Sequence, residues 1–139
     1  MRGELLASRA EKFGTVLLMS GLERSDMKID FDKMDGLAPA IVQEGSTGEV
    51  LMVGFMNAES YQHTVETGYV TFYSRTRKKL WMKGETSGNR LRVISALTDC
   101  DRDTVLFRVH VEGDGLVCHN GTKSCFTEPL AIKTAEAPR

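Results

Sequence analysis

Gly36-Leu37-Ala38-Pro39-Ala40-Ile41-Val42-Gln43 leads through Gly45-Ser46-Thr47-Gly48 into Glu49-Val50-Leu51-Met52-Val53-Gly54-Phe55-Met56. Two short apolar runs around a glycine-bounded polar tetrad read as strand, turn, strand. Downstream, Asn57 can cap a short helix that carries Ala58, Tyr61 and Val65 on one face and stops at Gly68, where glycine tolerates a left-handed exit. Tyr69 to Tyr73 and Leu80 to Lys83 read as short strands separated by a basic loop, and Leu91 to Thr98 and Thr104 to Val111 as longer ones before a Gly113-Asp114-Gly115 turn. Upstream, Glu4 to Leu18 spaces Leu5, Leu6, Phe13, Val16 and Leu17 as a loose amphipathic helix. The expected fold class is α+β, mainly β: one domain with a mixed or antiparallel curved sheet and one or two short helices.

The chain has 139 residues, 41% of them hydrophobic and 27% charged, with a formal net charge of −1. That length buries an adequate core without a staple, and so small a net charge argues against a general nucleic-acid or membrane-surface binder. The longest apolar runs fall far short of the roughly 20 residues that span a bilayer. Arg2, Glu4, Arg9, Glu11 and Lys12 interrupt any apolar core of a secretory signal, so a cytoplasmic location is expected. In a reducing compartment, three cysteines are either metal ligands or buried apolar residues rather than disulfides.

Three segments could carry chemistry. In Asp99-Cys100-Asp101-Arg102-Asp103, an extended backbone would send the three carboxylates to one side and Cys100 and Arg102 to the other. Hard oxygen ligands suit Mg²⁺, and the simpler reading is a solvated acidic turn. Cys100, Cys118 and Cys125 lack paired C-x₂-C knuckles but could hold one Zn²⁺ with its fourth position open to water, as catalytic zinc requires. His119 then stands beside the metal to move protons, unless it is an ordinary partly buried histidine. Ser74 to Lys83 holds five cations, Arg75, Arg77, Lys78, Lys79 and Lys83, and no acid. It runs into Gly84-Glu85-Thr86-Ser87-Gly88-Asn89, a glycine-bracketed loop whose N–H groups could cradle phosphate. A local positive stretch on a neutral protein fits a small anionic ligand better than a polymer, and a solvated basic loop is its plain alternative.

Taken together, the segments resemble the phosphoribosyl-AMP cyclohydrolase family. The likeness is carried in order by Gly36 to Gln43, Thr47 to Met52, Ser74-Arg75-Thr76-Arg77, Leu80 to Asn89, Asp99 to Asp103, Cys118-His119-Asn120-Gly121 and Ser124-Cys125-Phe126. The family often has tryptophan where Tyr73 stands.

The resemblance implies an enzyme of histidine biosynthesis that opens the adenine ring of phosphoribosyl-AMP between ring nitrogen 1 and carbon 6, through attack of a zinc-activated water. It implies an intertwined homodimer with one Zn²⁺ per subunit, held by Cys100 of one subunit and Cys118 and Cys125 of the other. Mg²⁺ would sit on Asp99, Asp101 and Asp103, and His119 would transfer the proton. The substrate's phosphates would be bound by Arg75, Arg77, Lys78, Lys79 and Lys83 with Gly84, Glu85, Thr86, Ser87, Gly88 and Asn89. Residues 36–130 would form the cyclohydrolase domain, between an N-terminal helical extension (1–35) and a tail (131–139). The chain ends 13 residues after Phe126, too few for the second domain of many relatives, so one reaction step is expected.

Two other classes are weighed against this. A non-catalytic zinc-stabilised RNA-binding module would need a closed four-ligand site, and a zinc nucleotide deaminase would need H-x-E and P-C-x-x-C signatures that are absent.

Overall fold

The computed structural model describes residues 29–134, so the helix expected over Glu4 to Leu18 lies outside the described residues. In chain order these hold β1 (Ala38–Glu44), β2 (Val50–Met56), α1 (Ala58–Thr67), β3 (Thr71–Ser74), β4 (Lys79–Met82), β5 (Leu91–Thr98) and β6 (Val105–Val111), after a 3-10 turn at Phe31–Met34. The protein is mainly β, and the strands fall within a residue or two of the positions read from the sequence. Among the described residues no helix is long and apolar enough to cross a membrane.

The described residues divide into two compact units, 29–38 with Thr98–Thr104, and Pro39–Leu97 with 105–134. In the larger unit, a four-stranded sheet runs β2-β1-β6-β5, and β1 pairs in parallel with β6, Val42 opposite Phe107. A parallel pair needs a long crossover, here the whole path from β2 through α1, β3, β4 and β5. Burial alternates along β1 and β6, so Val42 and Phe107 face the core while Arg108 and His110 face out. β5 is an edge strand of a different kind: only Leu91 is buried, and Ile94 is 62% exposed and Leu97 60%.

The antiparallel pair β3–β4 sets Phe72 opposite Trp81, their ring centroids 5.2 Å apart. Phe72 is fully buried, and burying a side chain of this size contributes about 1.5–3 kcal/mol. Helix α1 starts on a capping box: the Asn57 side chain accepts from the Ser60 N–H at 2.8 Å, and the Ser60 hydroxyl accepts from the Asn57 N–H at 3.0 Å. It stops at left-handed Gly68.

The buried face of α1 is not the expected Ala58, Tyr61 and Val65. Ser60 and Thr64 are the buried residues, and Val65 is 45% exposed. The Thr64 hydroxyl donates to Ser60 O at 2.9 Å and accepts from the Thr71 N–H at 3.0 Å, which docks α1 on β3 through satisfied polar groups that apolar periodicity cannot reveal.

Candidate active site

The turn between β3 and β4 and the loop after β4 enclose a cleft of about 460 Å³. Of the residues expected to bind substrate, Arg77, Lys83, Gly84, Glu85, Thr86 and Ser87 line it. Trp81 forms an aromatic wall that the sequence reading missed, and the Lys83 ammonium stands 5.6 Å from its ring centroid. Its signal was present, since Trp81 is the single tryptophan and lies inside the five-cation stretch. Among the described residues none of Arg77, Lys83 and Glu85 makes an ion pair.

The other expected cations go elsewhere. Arg75 lies 4.0 Å over the Phe55 ring in a cation–π contact. Lys78 takes the left-handed turn position (φ 57°) and exposed Lys79 opens β4; neither lines the cleft, nor does Gly88.

Asn89 holds the cleft loop in place. Its side-chain amide donates to Leu116 O at 3.0 Å and its carbonyl oxygen accepts from the Asp114 N–H at 2.9 Å. A Cβ on Gly84 would come within 2.2 Å of Asn89 O, and one on Gly113 within 2.0 Å of Asn89 Oδ1. Both glycines also have positive φ. Only glycine allows backbone to approach this closely in that conformation.

A second cavity of about 280 Å³ adjoins the first, because Lys83 and Ser87 line both. Its other walls include Asn89, Cys118 and the exposed His119. Cys118 heads a tight loop, with its N–H donating to Thr122 O at 3.0 Å and its carbonyl accepting from Gly121 N–H at 2.9 Å. The loop is fastened to the β1–β2 hairpin three times: Cys125 N–H to Leu51 O at 2.8 Å, the buried Ser124 hydroxyl to Val50 O at 2.8 Å, and Lys123 in ion pairs with Glu44 and, at 3.3 Å, Glu49. The Lys123 hydrogen bond holds Glu44 below its ordinary value, and Glu44 raises Lys123 in return.

The Cys118 and Cys125 thiols act on each other electrostatically. The Asn120 N–H, with help from Thr122, Cys125 and the Lys83 charge, lowers Cys118 below an ordinary thiol, while burial and the neighbouring Cys118 raise Cys125. A depressed thiol with a second sulfur at hand is a donor set that fits a soft, borderline metal such as zinc. Cys100, an exposed free thiol, belongs to the other compact unit.

In that smaller unit Asp99 to Asp103 is a turn and not the extended segment the alternation argument assumed, with Arg102 left-handed at φ 65°. The carboxylates nevertheless converge, and their nearest oxygens lie within 4.8 Å of one another, the only such group of three metal-capable side chains among the described residues. The turn is the cause: Asp99 Oδ1 accepts from the N–H groups of Asp103 (3.0 Å) and Thr104 (3.2 Å), which folds the segment back on itself.

Loss of solvent works to raise Asp99, but these amides and the neighbouring acids hold it below the usual range. Burial and the charges of Asp99 and Asp101 raise Asp103. Lys33 stands among them, its ammonium 2.6 Å from Asp101 O, 3.6 Å from Asp101 Oδ2 and 4.0 Å from Asp103 Oδ2. Hard oxygens with a cation already drawn in fit a small divalent ion.

The phosphoribosyl-AMP cyclohydrolase family model matches residues 52–127. The chain is 57% identical over 104 residues to the phosphoribosyl-AMP cyclohydrolase of Solibacter usitatus, covering 75% of this chain and 82% of that protein. It is 53% identical over 100 residues to the phosphoribosyl-AMP cyclohydrolase of Citrifermentans bemidjiense, covering 72% and 79%. Against the histidine biosynthesis bifunctional protein HisIE of Bacteroides thetaiotaomicron the identity is 57% over 102 residues, covering 73% of this chain and 49% of the relative. The chain thus spans about half the length of such bifunctional relatives and about four-fifths of the single-function ones. With more than half its length matched by the family model and relatives more than half identical, the chain belongs to the phosphoribosyl-AMP cyclohydrolase family of hydrolases.

Proposed function

We propose that the chain opens the adenine ring of phosphoribosyl-AMP by hydrolysis between ring nitrogen 1 and carbon 6, in histidine biosynthesis. One observation carries this reading: the cationic cleft and the cavity bearing Cys118 and His119 share Lys83 and Ser87. A nucleotide with a phosphate on Arg77 and Lys83 therefore has its base directed toward the thiols and the imidazole.

Zn²⁺ on Cys118, Cys125 and Cys100 of a partner subunit supplies a Lewis acid that makes water nucleophilic near neutral pH. Two of these sulfurs come from one tightly fastened loop, and in this reading the third comes from a second copy of the chain, in a homodimer with a shared site. His119 takes a proton from the attacking water and returns it to the departing ring nitrogen. Oxygen bonds to carbon 6, the bond from carbon 6 to nitrogen 1 breaks, and the exocyclic amine is retained as the nitrogen of a carboxamide. Asp99, Asp101 and Asp103 would hold Mg²⁺ in competition with Lys33, and the ion would supply positive charge for the phosphates or ribose of the substrate.

Ultraviolet spectroscopy of the zinc-loaded protein with phosphoribosyl-AMP tests the reading, because ring opening and deamination change purine absorbance differently. Loss of the purine band without release of ammonia is expected, together with its abolition by a zinc chelator that leaves the circular dichroism of the fold in place. Ammonia release would mark a deaminase, and absence of turnover with RNA binding instead would mark a binding module.

A further inference from the structure

Glu85 is out of place in a site for phosphate alone. Its carboxylate lines the same cleft as Arg77 and Lys83 without pairing with either. Among the described residues it forms one hydrogen bond, Oε1 accepting from the Met82 N–H at 3.3 Å, while the Glu85 N–H donates to Met82 O at 3.2 Å. The reciprocal pair fixes the turn from Met82 to Glu85, in which Gly84 takes the left-handed position, and Oε2 is left without a protein donor among the described residues. A free carboxylate beside two cations weakens phosphate binding by repulsion, so its position calls for a donor from the ligand. A carboxylate is acceptor-only with about four lone-pair sites, and the vicinal hydroxyls of a ribose are two donors a short distance apart.

Resting on the function proposed above, we infer that the cleft takes a whole ribose phosphate arm of the nucleotide, with Arg77 and Lys83 on its phosphate and Glu85 accepting from its ribose hydroxyls. Glu85 is then a specificity residue that separates ribose from 2-deoxyribose. Trp81 offers the flat apolar wall against which the sugar ring rests, and the remaining hydroxyls of the cleft serve the phosphate oxygens. The volume of about 460 Å³ accommodates a sugar phosphate with some water. A hydrogen bond to a charged acceptor, discounted for an exposed site, corresponds to about a tenfold preference.

The test uses calorimetric titration of the full, zinc-loaded chain with three probes: methyl ribofuranoside 5-phosphate, its 2-deoxy analogue, and inorganic phosphate. The wild-type protein is expected to bind the ribo probe about tenfold tighter than the deoxy probe. Glu85→Gln, and Glu85→Ala as a second variant, should reduce that ratio to about twofold or less while inorganic phosphate binds as well as before or better. Arg77→Ala should weaken both sugar phosphates and keep the ratio. A wild-type protein that binds neither sugar or prefers neither, or a ratio that survives in both Glu85 variants, overturns the inference. So does weaker inorganic phosphate binding in the Glu85 variants, because it would mark Glu85 as a prop for the turn. These outcomes are independent of turnover: a chain that opens the purine ring yet shows an unaltered ratio loses only the inference, whereas absence of ring opening removes the proposed function.

Discussion

The cleft and the acidic turn hold charge in opposite ways. In the cleft, Arg77, Lys83 and Glu85 have no ion-pair partner among the described residues. In the turn, Asp99 is occupied by two backbone amides and Asp101 and Asp103 lie beside Lys33. Charge without a protein partner is fully available to a ligand, whereas charge already answered from within binds a ligand only to the extent that the ligand does better. Substitutions in the cleft and the cavity it shares should therefore cut deeper than substitutions in the turn.

The largest effect is expected where the cleft opens onto the second cavity. His119→Ala should lower turnover about 10²-fold or more with zinc content unchanged, the size associated with a positioned acid or base. Steady-state kinetics beside metal analysis checks this, and near-normal turnover would remove His119 from the chemistry. Next in size is a contrast within the basic loop. Arg77→Ala should raise KM about tenfold and be mimicked by added salt, since its guanidinium faces an open cleft. Arg75→Ala should alter KM by less than about threefold, because a cation over Phe55 is worth only about 0.5–1 kcal/mol at an exposed site. Equal KM values for the two variants would dissolve the distinction between lining and non-lining cations.

A smaller effect than that of Arg77 belongs to the acidic turn. Asp101→Asn should shift half-maximal activation by Mg²⁺ upward severalfold and leave zinc untouched, since one oxygen ligand loses its charge while Lys33 keeps Asp103 as a partner. A magnesium titration that superimposes on wild type would leave this segment a solvated turn, and a shift larger than the Arg77 effect would reverse the ranking drawn here.

Much of the scaffold was legible because its signals are local. Short apolar runs bounded by glycine and polar turns located the strands, and Asn57 and Gly68 bound the helix by chemistry written in single residues. The helix face was misread because Thr64 docks through a hydroxyl, and a search for apolar spacing passes over it. For the acidic turn, alternation gave the right grouping for the wrong reason: a left-handed Arg102 and an Asp99 side chain folded onto two amides are not expected of an extended segment.

Within the basic loop the sequence could count the cations but not tell Arg77 from Arg75, since the partner that turns Arg75 aside is Phe55 on another strand. Nor could spacing foretell that Lys123 and Ser124 fasten the cysteine loop to a hairpin more than 70 positions earlier. Such contacts are settled only when distant segments meet.

The Asn89 clasp carries a consequence for anyone who would redesign this protein's substrate range. One amide joins the loop that shapes the cleft to the turn at Asp114 and Leu116, and Gly84 and Gly113 are the two places where backbone yields to let it in. Insertions or side chains in either loop would be transmitted to the other, so the two have to be redesigned together. Thr76 and Thr86 face the cleft too but bear none of that clasp, so changes there would act on the ligand without passing to the second loop.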